Sequence, residues 1–252
     1  MRNSTASLSI LMNRTIVKNQ HTFPKRSLER FLNDQNCIYV LRLSGNGPFL
    51  VRPDNQIFCV TRKWCQSSEQ GLGKGIEDKY QGVIEELLAN KRTELLPAES
   101  EIVNQFYALW KYRTCIDEFE DQIGSFNLTP TALTSEEKRD LDLSHISYVD
   151  ETGSFTNRNI KGVIMHGGII HFLDIHRNTP WILVESPDCE LIIPDNPGND
   201  MYIPVTPHWC LLAGNPVKSL TVEQSEQANL GSVAKSNQYI AGRSLSRYIK
   251  DK

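Results

Sequence analysis

Two short blocks in this 252-residue sequence carry an ionisable side chain beside prolines: Asn19-Gln20-His21-Thr22-Phe23-Pro24 near the start and Pro194-Asp195-Asn196-Pro197 towards the end. Proline fixes the local backbone, so His21 and Asp195 each sit at a restrained boundary of a regular element. A neutral imidazole can act as a general base or bind a metal. The Asp195 carboxylate can ligate a metal or orient a base, and Asn196 can bond a substrate oxygen. Each block also has a plainer reading, as a histidine bonded to a backbone carbonyl and as an Asx-Pro turn.

Arg113 is the sharpest anomaly in the pattern. Counted at about 100° per residue, Ile102, Phe106, Leu109 and Trp110 form an apolar helical stripe, and Arg113 falls near its middle. A guanidinium on a buried face needs a carboxylate or several carbonyls, because an unpaired buried charge costs several kcal/mol; the alternative is a helix end that lets Arg113 snorkel to water. On the preceding helix Glu77 lies at the margin of the stripe Ile76, Tyr80, Val83, Ile84 and Leu87, whereas Glu85 points away from it. Glu77 is therefore the better partner for Arg113 or for a metal. Arg243 and Arg247, one helical turn apart, form a basic pair that could meet phosphates.

Other patterns argue against particular chemistries. His166, His171 and His176 are spaced by five, which alternates faces on a strand and diverges by about 140° on a helix, so they cannot converge from one element. His208 and Cys210 have no matching pair elsewhere, which disfavours structural zinc. There is no phosphate-binding glycine loop, no Gly-x-Ser-x-Gly elbow and no His-Glu-x-x-His.

The elements that must position these residues read as α+β: short N-terminal strands, a mostly helical middle, then C-terminal strands and a closing helix. Pro24 opens a short helix over 25–33. Strands are expected at 37–43, 49–52 and 56–61, with Ser44-Gly45-Asn46-Gly47 as a turn, and the glycine-rich 67–75 as a loop. Helices follow at 76–91 and 98–115, and a further polar helix capped by Thr134 or Ser135. Around Gly167-Gly168 the segments 163–166 and 169–175 fit either a hairpin or a buried helix. Strands are expected at 181–185, 190–193, 201–205 and 209–213, and the closing helix at 232–250. The whole chain, 1–252, reads as one unit with a soft division near 125–135.

Bulk properties narrow the setting. The residues are 39% hydrophobic and 23% charged, as in soluble globular proteins. A net charge of −3 argues against a uniformly basic nucleic-acid coat but not against a local basic groove. No run approaches the roughly 18 apolar residues of a membrane span. The apolar patch Leu8, Ile10, Leu11 and Met12 lacks the basic start, long core and cleavage site of a signal peptide. Six scattered cysteines without a Cys-x-x-Cys pair read as reduced thiols, so the expected location is the cytoplasm.

Taken together, the sequence resembles a bacterial family of unknown function, the domain-of-unknown-function 4238 family. The resemblance rests on His21-Thr22-Phe23-Pro24 before a short helix, the helix beginning Ile76-Glu77-Asp78 with a second acid at Glu85, and Arg113 at the end of the next helix. It continues with the Trp181-led strand running into Asp195-Asn196-Pro197, then Ile203-Pro204 and Asn237-Gln238-Tyr239-Ile240-Ala241. The aromatic residue usual beside the histidine is displaced here to Phe23, and Pro194 stands where the family tends to have serine. The resemblance implies a helix rather than a hairpin before the Trp181 strand. It also implies that His21, Glu77, Arg113, Asp195 and Asn196 are the shared polar positions.

If those residues converge, they suit hydrolysis of a phosphate ester. Glu77 and Asp195 would hold magnesium or manganese, His21 would activate water or protonate the leaving group, and Arg113 would neutralise developing charge, with Asn196, Arg243 and Arg247 on the substrate. The expected activity is then nuclease-like, with nucleic acid as partner, in a toxin or phage-defence effector. The rival is a non-enzymatic binding module, sensing a nucleotide or a partner, in which the same residues form a buried structural network.

Overall fold

The computed structural model describes residues 15–45, 47–118, 129, 132–149, 151–214 and 217–248. Helices and strands alternate irregularly along the chain, and the strands form three small antiparallel sheets, an α+β arrangement. No described helix is long and apolar enough to cross a membrane. The division expected near 125–135 lies largely outside the described residues.

Strand β1 (Asn19–His21) pairs with β4 (Cys59–Thr61), setting His21 opposite Cys59. Between them the chain turns into α1 (Lys25–Leu28), which Pro24 caps with its carbonyl, accepting from the amides of Ser27 and Leu28. Strand β2 (Ile38–Arg42) pairs with β3 (Phe49–Val51). The segment expected to be a loop at 67–75 is instead a π-helical turn, Ser67–Gly73, running directly into α2 (Lys74–Ala89). Helix α3 (Pro97–Cys115) packs on α2, and the Tyr80 and Phe106 rings stack at 3.6 Å between them. Helix α4 (Ser135–Leu143) begins at Thr134 with the expected cap: Thr134 accepts from the Glu137 amide while the Glu137 carboxylate returns to Thr134.

The Gly167-Gly168 ambiguity resolves to α5 (Asn157–Ile175). These glycines make no turn. A Cβ at Gly168 would collide with the Tyr112 ring of α3, so the small residue lets two helices approach closely. Strands β5 (Trp181–Glu185), β7 (Tyr202–Thr206) and β8 (Trp209–Ala213) form one sheet in the order β5-β8-β7. Strand β6 is short, Ile193–Pro194.

The closing helix is the main correction. Helix α6 runs from Val222 to Lys235 and stops at Ser236, and residues 239–242 form strand β9 (Tyr239–Gly242), all four buried. A short 3-10 turn, Ser246–Tyr248, follows. Strand β9 inserts between β2 and β6, giving the order β3-β2-β9-β6. A four-residue apolar run cannot be told from a helix turn by periodicity; here the sheet decides, since β2 and β6 both lack a partner on that side without it. The largest core cluster draws on both ends of the chain, from Phe23 to Ala241.

Candidate functional site

Arg113 is 3% exposed. One arm of its guanidinium bonds Glu77, as the helical count predicts. The other lies 3.3 Å from Glu69, a residue of the π turn. Glu69 is in turn held by the Trp64 indole N–H at 2.7 Å, and the Arg113 guanidinium carbon sits 5.4 Å from the centre of that indole. Burial alone would lower the Arg113 pKa; Glu77 and Glu69 outweigh it, and the net direction is up. Gly73 makes the arrangement fit, because a Cβ there would stand 2.6 Å from Nη2.

Asp195 follows β6 and is 9% exposed. Its Oδ1 accepts from the Asn237 backbone N–H at 2.8 Å and its Oδ2 from that of Gln238 at 2.7 Å. Burial pushes its pKa up and these bonds pull it back, leaving it above the ordinary value. The turn into β9 thus closes on the carboxylate, so Asp195 acts as a clasp.

The other predicted side chains have local partners. His21 Nε2 lies 3.2 Å from the Pro53 carbonyl; a carbonyl only accepts, so this nitrogen carries the proton. Asn196 Oδ1 accepts from the Gly198 amide at 2.9 Å, a turn completed by Gly198 at φ +66°, where a side chain would be strained. Glu85 is exposed and pairs with Arg26.

Arg243 is not on a helix. Just past β9, it donates through Nε to Glu190 at 2.9 Å and through Nη2 to His208 Nε2 at 2.8 Å. His208 Nδ1 lies 3.0 Å from the Ser186 carbonyl, which fixes the neutral tautomer that can accept from arginine. The expected Arg243/Arg247 basic helical edge is therefore absent, and the Arg247 side chain lies outside the described residues.

Two of the predicted residues do share a cavity. Arg113 and Asp195 line a cleft of about 80 Å³ with Thr22, Lys63, Asp117 and Gln238. Asp117 bridges Lys63 and Lys161. Burial opposes ionisation of Asp117, but the two lysines outweigh it and hold its pKa below the ordinary value. Every charged group of this cleft is thus opposed by a neighbour or, for Asp195, by backbone amides. His21 adjoins the cleft through Thr22, and Glu77 stands behind Arg113.

The donor set does not suit the expected metal. Glu77 is committed to Arg113, and Asp195 to the two amides. Among the described residues no group of three or more His, Cys, Asp or Glu side chains is placed to hold a metal ion. Nor does Cys59, opposite His21, offer a thiolate, since burial raises its pKa to about 11.

A larger open groove, of about 740 Å³, adjoins the cleft and shares Ile57, Cys59, Asn237, Gln238 and Tyr239 with it. In the sequence Asn237 and Gln238 stand out only as part of the Asn237–Ala241 block, inside the expected closing helix. Glu69, Lys63 and Asp117 carried no recognisable signal, since each is recruited across a large gap in sequence.

Compared with known proteins, the family described as "Protein of unknown function (DUF4238)" matches residues 19–249. No curated protein and no solved structure matches the chain.

Proposed function

The chain belongs to the DUF4238 family, and we propose that it works as a non-catalytic binding module, with the adjoining cleft and groove as its ligand site. The observation that carries this reading is the Asp195 clasp. Both oxygens of the residue best suited to metal-dependent chemistry accept backbone amides, at 2.8 and 2.7 Å. Such bonds hold a turn in place, and a hydrogen bond to a charged group contributes about 1.5–3 kcal/mol. His21 is anchored through Nε2 to the Pro53 carbonyl and Asn196 through Oδ1 to the Gly198 amide, and Arg113 is matched by Glu77 and Glu69. These residues build a rigid wall, and the groove beside it is the space a ligand would enter.

One observation favours the rival, a nuclease-like phosphoester hydrolase: Arg113 and Asp195 line the same cleft. That reading would use the lone pairs Asp195 keeps beyond its two amide bonds and the His21 Nδ1, since only Nε2 faces the Pro53 carbonyl. Thermal unfolding of His21→Ala and Asp195→Ala with and without magnesium or manganese tests the choice. The module reading expects a lower midpoint for Asp195→Ala and no metal-dependent shift in the parent. A saturable metal shift that Asp195→Ala loses would contradict it.

A further inference from the structure

The outer groove differs from the inner cleft in charge. Among the described residues, Arg42, at the end of β2, is the one charged side chain lining it. The side chain is exposed, its guanidinium carbon lies 5.7 Å from the Phe49 ring centre, and among the described residues it has no ion-pair partner. Every cation in the inner cleft, by contrast, is already opposed by an acid. Among the described residues, the groove therefore presents a positive charge without an acidic partner on a wall without carboxylates.

Asn237 and Gln238 hang from the facing strand end. Arg42 is in register with Tyr239, and the Leu43 amide bonds the Gln238 carbonyl at 2.9 Å. The guanidinium and the two carboxamides thus project from one zipped pair of strand ends. Both carboxamides are exposed and, among the described residues, neither is hydrogen-bonded. Their backbone, though, is fixed by Asp195. A carboxamide offers a donor and an acceptor side by side, the pattern that pairs with the edge of a nucleobase. Leu43, 43% exposed, and Ile57 add an apolar flank. The volume lies within the range of small-molecule sites.

From these placements we propose that the groove binds a nucleoside monophosphate. The phosphate meets Arg42, whose planar fork suits phosphate oxygens, and the base edge meets Asn237 and Gln238. Asp195 is the positioning residue that holds those carboxamides. This assignment rests on the binding-module reading and names its ligand class.

The test is calorimetric titration of the full chain with AMP, GMP, CMP and UMP separately, and with inorganic phosphate alone. It is repeated on Arg42→Ala and on the double variant Asn237→Ala/Gln238→Ala. At least one nucleotide is expected to bind with one-to-one stoichiometry, with inorganic phosphate at least about tenfold weaker. Each variant should weaken that nucleotide by about tenfold or more, the loss of one strong polar contact, while unfolding at the parent temperature because the altered side chains are exposed. No binding of any of the four at millimolar concentration, or undiminished binding in both variants, overturns the assignment. Phosphate binding as tight as the nucleotides overturns the base-edge role. Release of nucleoside and phosphate during titration would instead overturn the module reading on which the assignment rests.

Discussion

Asp195 accepts the Gln238 amide at 2.7 Å from a position directly beyond the last residue of β6. Strand β6 pairs with β9 over only Ile193↔Ala241 and Pro194↔Ile240, and Pro194 has no N–H to donate. The Asp195 N–H makes the last backbone bond of this edge, to the Tyr239 carbonyl at 3.3 Å, and the carboxylate carries the pairing further with its side chain. Its second oxygen takes the Asn237 amide at 2.8 Å, so one residue fixes both the sheet edge and the turn that carries the groove's carboxamides.

Removing that clasp should be expensive. Asp195→Ala leaves two amides without acceptors, and we expect a loss of about 2–4 kcal/mol in urea denaturation. Asp195→Asn, which keeps one acceptor oxygen, should lose less. A loss below about 0.5 kcal/mol for the alanine variant, the scale of an unremarkable surface change, would show that the clasp holds nothing.

The direction of the Asp195 shift sets a pH dependence. Its pKa is raised in the folded state because burial disfavours the anion, so the folded protein binds this proton more tightly than the unfolded chain. The associated stability is complete below the unfolded value of about 3.9 and is lost as pH rises through the folded value. Stability of the parent relative to Asp195→Asn should therefore increase when denaturation is measured at about pH 4 rather than about pH 7. A decrease over that interval would contradict the assigned direction.

The Arg113–Glu77 pair should behave as a coupled buried unit. Arg113→Met strands Glu77 and Glu69 and is expected to lose about 3–5 kcal/mol. Adding Glu77→Gln should restore part of the loss, so a double-mutant cycle in chemical denaturation should give a coupling of about 1 kcal/mol or more. Strict additivity would place the two side chains in independent surroundings.

Close packing of α5 makes two glycines indispensable. A Cβ at Gly162 would stand 2.5 Å from Cys65 Sγ and 2.6 Å from Ser68 Oγ, and one at Gly168 would meet the Tyr112 ring. Both Gly→Ala variants should destabilise by about 1–3 kcal/mol, against the small gain alanine brings to an unobstructed helix position. Unfolding midpoints at or above the parent's would place α5 farther from its neighbours than described.

These sites also show which features were legible in the sequence. Arg113 and Glu77 could be paired in advance because angular counting along two well-patterned helices reports which faces turn inward. The strands of the β5-β8-β7 sheet were readable from their apolar runs. Glu69 was not, because Ser67–Gly75 has the composition of a loop; its glycines serve a π turn and clear space for Arg113. Gly167-Gly168 fitted a hairpin or a buried helix by local pattern, and the contact with Tyr112 shows why the helix needs the small residue at Gly168. Asn237–Ala241 falls inside the expected closing helix, yet its conformation is set by β2, far earlier in the chain, and by Asp195. Long-range pairing of this kind leaves no local periodicity.

On the proposed reading Asp195 and its neighbours hold a binding site rather than catalyse hydrolysis. The most direct measurement is incubation of the purified protein with plasmid, single-stranded DNA and total RNA, in magnesium, manganese or chelator, beside Asp195→Ala. No metal-dependent cleavage of any substrate is expected. Metal-dependent cleavage by the parent, lost in an Asp195→Ala protein that keeps the parent's circular dichroism, would contradict it and make Asp195 a catalytic residue.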